Sequence, residues 1–154
     1  MTRPVVVRVV TFVRRETLIV MPARILIVED EILVAMELEA ILEDLGYISV
    51  GIAPDMPTAL ELAALKPDLA LVDLNLRDGL TGPQIGKRLS GEHHATVLFI
   101  TANPRVLGDG VAGTIGVLTK PTDLEEVTAA VQYALRVKKG DAEAVPPPSL
   151  RLFA

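Results

Sequence analysis

From Arg24 onward, short apolar runs alternate with helical patterns, and this alternation constrains the fold more than any other feature of the chain. Arg24–Glu29 (RILIVE), Tyr47–Ala53, Asp68–Asp73 (DLALVD), Ala95–Thr101 (ATVLFIT) and Ile115–Thr119 are strand candidates. ATVLFIT is apolar almost throughout, as a strand buried on both faces must be. Between these runs, Glu31–Leu45 repeats apolar residues at Leu33, Met36, Ile41 and Leu45 and stops at Gly46. Pro54 and Asp55 open a second helix through Leu60, Leu62, Ala63 and Leu65 that ends before Pro67. A third begins near Thr81 and Pro83 and carries Ile85 and Leu89. Ala102–Thr114 holds Gly108, Gly110 and Gly113, so any helix there is short or loose. Thr122 or Asp123 caps a final helix through Leu124, Val127, Ala130, Val131, Ala134 and Leu135. Strands alternating with helices imply a parallel sheet with right-handed crossovers.

Composition narrows what such a sheet can do. Half of the residues are apolar, but only 3% are aromatic and none is Trp, so Leu, Val, Ile and Ala fill the core. Few aromatics argue against base-stacking nucleic-acid modules. A net charge of −5 disfavours attraction to DNA phosphates and anionic membranes. Cysteine is absent, which excludes disulfides, thiolate catalysis and Cys-ligated zinc. His93 and His94 are adjacent, without helical spacing or nearby acids, and suit a solvated loop better than a metal site.

Residues 1–22 stand apart as an N-terminal extension. Arg3, Arg8, Arg14 and Arg15 face a single acid, Glu16, and interrupt its apolar runs, so it is a poor signal peptide. No apolar run is long enough to span a bilayer, and a cytoplasmic protein is the expectation. Residues 23–139 form the expected domain, and 140–154, with Pro146–Pro148, a flexible tail.

Ligands of parallel sheets bind at the carboxyl ends of the strands. There this chain places Glu29 and Asp30, then Asp73, Thr101 and Lys120. Three converging carboxylates repel unless a cation sits among them. Mg²⁺ fits best, because it accepts carboxylates, water and a phosphoryl oxygen together. With Thr101 and Lys120 to hold phosphoryl oxygens, Asp73 becomes a nucleophile that forms an aspartyl phosphate. Taken singly, Asp30 also suits a helix cap, Asp73 a turn, Thr101 an ordinary strand residue and Lys120 a solvated charge. Their joint order decides against those readings.

The ordered set ILIVEDE, LALVDLNL, LFITAN and LTKP resembles the receiver domain of two-component response regulators, over roughly residues 24–139. The resemblance implies a flavodoxin-like doubly wound sheet of five parallel strands in the order 2-1-3-4-5. It implies that Glu29, Asp30, Asp73 and the Asn75 backbone carbonyl hold Mg²⁺, that Thr101 is the switch hydroxyl, and that the Lys120–Pro121 bond is cis. It further implies a histidine kinase or phosphotransfer protein as donor and a downstream protein target or phosphorelay partner, with a homodimer left open. Receivers commonly carry an aromatic residue three positions before the lysine; Val117 stands there, as in some receivers of alphaproteobacterial type. The alternative is a Mg²⁺-dependent phosphatase with an aspartate nucleophile. That chemistry usually adds a second Asp two residues on, where this chain has Asn75. A DNA-binding regulator is disfavoured because no basic helix follows Lys139.

Overall fold

The computed structural model describes residues 21–153. The expectations for residues 1–20 therefore lie outside the described residues. Within them the chain alternates as its pattern demands: β1 (Arg24–Val28), α1 (Ile32–Asp44), β2 (Ile48–Ala53), α2 (Met56–Ala63), β3 (Leu69–Val72), α3 (Gly82–His93), β4 (Thr96–Thr101), β5 (Gly116–Thr119) and α4 (Leu124–Lys138). The loose segment 102–114 holds only a 3₁₀ turn, Pro104–Leu107. The first five strands are parallel in the order β2-β1-β3-β4-β5.

Strand periodicity divides the core into two layers. Ile25, Ile27, Leu69, Leu71, Leu98, Ile100 and Leu118 face α1 and α4. Their neighbours Leu26, Val28, Ala70, Val72, Val97, Phe99 and Val117 face α2 and α3. Both faces are buried, which is why these strands are continuous apolar runs rather than alternating ones. No helix among the described residues is long and apolar enough to cross a membrane.

Two expectations are corrected. In α1 the buried stripe is Ala35, Leu38 and Leu42, while Leu33 and Met36 are 79% and 54% exposed. The helix reads ILVAMELEAILED, so apolar residues occur on most sides and the sequence gives the helical period little contrast. The tail does not end as a free extension. Its Leu150 is buried, and Arg151–Leu152 form β6, antiparallel to β5, making a sixth strand. The open outer edge of β5 supplies the unpaired backbone groups that hold it.

Asp123, rather than Thr122, caps α4: its Oδ1 accepts from the Glu126 N–H at 2.8 Å. Asp123→Ala should lower stability by about 1 kcal/mol, read as a shifted denaturant midpoint at constant slope. Asp123→Asn keeps an accepting oxygen and should retain most of that stability.

Candidate functional site

The site is built where β1, β3, β4 and β5 end. Glu29 and Asp30 directly follow β1, Asp73 follows β3, Thr101 closes β4, and Lys120 follows β5. Glu29 is 3% exposed and Thr101 1%, the two buried polar side chains among the described residues; Asp30 is exposed and Asp73 half-buried. Carboxylate oxygens of Glu29, Asp30 and Asp73 lie within 4.8 Å of one another. Lys120 reaches across the sheet end: its Nζ donates to Glu29 Oε1 at 2.6 Å and to Asp73 Oδ2 at 2.9 Å. The other oxygens are held by backbone, with Glu29 Oε2 accepting from Glu31 N–H and Asp73 Oδ1 from Leu74 N–H.

Burial pushes the Glu29 carboxyl above its ordinary value, although Lys120 and the Glu31 N–H pull it back. Burial draws the Lys120 ammonium down, but its hydrogen bonds to Glu29 and Asp73 outweigh that and leave it raised. Three carboxylates and one ammonium leave two negative charges when all are ionised. That is the charge of one divalent ion, and an all-oxygen donor set is what Mg²⁺ prefers. The residues present fit the ion. Among the described residues no other group of three such ligands forms, and neither histidine joins one. His93 ends α3, and His94 is its left-handed cap.

The loop that presents Asp73 is anchored at several points. Gly82 N–H donates to Leu74 O, and Arg77 N–H to Pro54 O. Asp78 accepts from Met56 N–H at 3.0 Å and from Thr81 Oγ1 at 2.7 Å. Arg77 pairs with Asp55, the cap of α2. The hydrogen bonds from Thr58 and the Arg77 guanidinium hold the Asp55 carboxyl down at about 2. Because that value is depressed in the folded chain, this anchor persists at neutral pH and is lost only as pH falls toward 2. Asn75 sits in the exposed bend of this loop, two residues after Asp73.

Sequence reasoning missed Gly82. A Cβ at that position would run into the Asp73 carbonyl oxygen and approach Leu74 Cα to 2.5 Å, so only glycine lets α3 start this close to Asp73. The one hint was a Gly between Thr81 and Pro83, at the mouth of a helix. Thr101 and Lys120 are joined through the backbone, where Lys120 N–H donates to Thr101 O at 2.8 Å. The Thr101 hydroxyl accepts from Asn103 N–H at 3.0 Å. The Lys120–Pro121 bond is cis, as the resemblance implied.

Comparison with known proteins agrees with this geometry. The family model described as the response regulator receiver domain matches residues 25–132. The chain is 36% identical over 124 residues to the phyllosphere-induced regulator PhyR of Methylorubrum extorquens, covering 79% of this chain and 46% of PhyR. It is 35% identical over 120 residues to the transcriptional regulatory protein PdtaR of Mycobacterium tuberculosis, covering 74% and 57%. The chain thus spans about half the length of these relatives. Among solved structures, the receiver domain of Erythrobacter litoralis PhyR superposes with a TM-score of 0.67 at 34% identity, over 74% of this chain and 90% of that one. PhyR of Brucella abortus gives 0.70 at 33%, over 78% and 50%. An acidic strand-end site on a doubly wound sheet, a family match across most of the described residues and these superpositions lead to one conclusion: the chain belongs to the receiver domains of response regulators.

Proposed function

We propose that Asp73 is the phosphoacceptor of this receiver and that Glu29, Asp30, Asp73 and the Asn75 backbone carbonyl hold Mg²⁺ beside it. The observation that carries this reading is the Lys120 ammonium bridging Glu29 and Asp73 within a cluster of three carboxylates. An Asp73 oxygen attacks phosphorus, a P–O bond forms, and the donor's P–N or P–O bond breaks with its electron pair leaving on the donor. Lys120 and the Thr101 hydroxyl hold the transferred oxygens as charge shifts onto them. A bound Mg²⁺ supplies further neutralisation of the phosphoryl oxygens and of the carboxylate repulsion. The chemistry is confined to gaining and losing this one group, so the domain acts as a signal carrier rather than an enzyme with an external product.

The donor is a histidine kinase or phosphotransfer protein, and the output is a protein target or phosphorelay partner. A rim of exposed apolar residues supports protein docking around the site. Ile32, Leu33 and Met36 of α1, Leu80 before α3, Val106 of the 3₁₀ turn and Leu124 of α4 all follow strand ends and are 47–79% exposed. Such residues cover a partner helix better than they solvate a surface. The receiver unit spans residues 23–139, with 1–22 as an N-terminal extension.

The direct test is intact mass after treatment with acetyl phosphate or phosphoramidate. One phosphoryl mass should appear with Mg²⁺ and fall to background with EDTA. Equal labelling in EDTA would overturn the metal assignment, and no labelling with Mg²⁺ the acceptor assignment.

A further inference from the structure

The outermost strand is not needed to complete the acidic site, yet it is fastened to the segment that leads away from Thr101. Leu150 is buried against the α4 face, while Phe153 lies against Phe99 on the other face, with ring centroids 6.3 Å apart. Phe153 N–H donates to Ile115 O at 2.9 Å, which extends the β5–β6 ladder. Arg151 Nη1 donates to Gly108 O at 3.1 Å and Nη2 to Pro104 O at 3.4 Å. Its guanidinium also sits 5.4 Å over the Phe153 ring, within cation–π range.

Two glycines shape the seat. A Cβ at Gly110 would come within 2.5 Å of Phe153 Cγ, and one at Gly116 would strike the Arg151 carbonyl. The receiver part of the chain is therefore relieved where residues 151–153 lie. Val117 pairs with Arg151, so the tail brings an aromatic ring to the face where β5 itself has only a valine.

Through the turn at Pro104–Leu107 the seat is linked to the one buried hydroxyl of the site. Thr101 Oγ1 accepts from Asn103 N–H, and Asn103 is the residue that begins the Pro104–Leu107 turn. A phosphoryl group on Asp73 adds oxygens that need donors. If the Thr101 side chain rotates about Cα–Cβ to donate to them, Oγ1 moves away from the Asn103 N–H and the turn loses this anchor. The Pro104 and Gly108 carbonyls that Arg151 grips belong to and directly follow that turn.

We propose that residues 150–153 are a releasable latch: docked on β5 and Gly110 in the resting protein, and set free when Asp73 is phosphorylated. The proposal rests on the reading of Asp73 as acceptor. Equilibrium coupling between two sites is reciprocal, so loosening the latch must favour the phosphoryl-bound state of Asp73. In the full chain, hydrogen exchange over residues 115–119 and 150–153 should be slow at rest and at least about fivefold faster once intact mass shows the phosphoryl group present. The double variant Arg151→Ala, Phe153→Ala, which changes only the tail, should exchange fast in both states and, with Mg²⁺, bind the phosphoryl mimic beryllofluoride at least about fivefold more tightly. Complete labelling with unchanged exchange would overturn the latch alone, as would a double variant whose beryllofluoride affinity is unchanged. Failure to label at Asp73 would overturn the acceptor reading and the coupling with it, and the mass measurement separates the two failures.

Discussion

Asp73→Asn should gain no phosphoryl mass under conditions that label the unaltered chain fully, while remaining folded. The amide oxygen can still accept the Leu74 N–H that now binds Asp73 Oδ1 at 2.7 Å, so the loop keeps its local hydrogen bond. What disappears is the anionic oxygen proposed as the attacking group, now paired with Lys120 at 2.9 Å. Removing one of three clustered carboxylates also relieves like-charge repulsion, so stability should hold or rise slightly. Intact mass after phosphoramidate treatment, with circular dichroism to confirm folding, reads both halves. A folded variant that still labels at full extent would place the acceptor elsewhere.

The second large effect belongs to Gly82→Ala. The new methyl group would meet only backbone: the Asp73 carbonyl, Leu74 Cα at 2.5 Å and Asp73 C at 2.9 Å. Backbone cannot rotate aside as a side chain does, so the start of α3 or the acceptor loop must shift. A cost of about 3 kcal/mol is expected, at the upper end for overpacking. Because Asp73 moves with that loop, labelling should slow by roughly 100-fold, the penalty of about 1 Å of misplacement. Gly91 is the matched control in the same helix. It is exposed, with nothing within 4 Å of an added Cβ, so Gly91→Ala should be neutral or stabilise by up to about 1 kcal/mol. Denaturant midpoints of the two variants decide the matter, and equal midpoints would refute the close-approach account.

The difference between these two glycines marks the limit of what was legible in the sequence. Strands such as LALV and TVLFIT announce themselves, because burial on both faces leaves no polar residue inside them. Glu29, Asp73, Thr101 and Lys120 were legible for the same reason: each is a polar residue at the point where an apolar run stops. The phase of α1 was hidden, since Leu33 and Met36 are as apolar as the Leu38 and Leu42 that face the core. Nothing local distinguishes Gly82 from Gly91, because the atoms that forbid a side chain at Gly82 lie eight and nine residues earlier in the chain. β6 was missed because two residues of strand pattern after a proline run are too short to signal pairing.

The position of β6 also orders events during synthesis. Every strand of the parallel sheet is made before residues 150–153 exist, so the domain can assemble around Leu98, Ile100 and Leu118 while the outer backbone of β5 has no neighbour. Nascent chains fold as they emerge, and an unpaired edge at that stage can recruit a strand from a neighbouring polypeptide. Residues 150–153 are made after all five of these strands, and they close this opening. Substitutions in LRLF should therefore reduce the yield of soluble protein from a crowded polysome more than they reduce the stability of the finished fold.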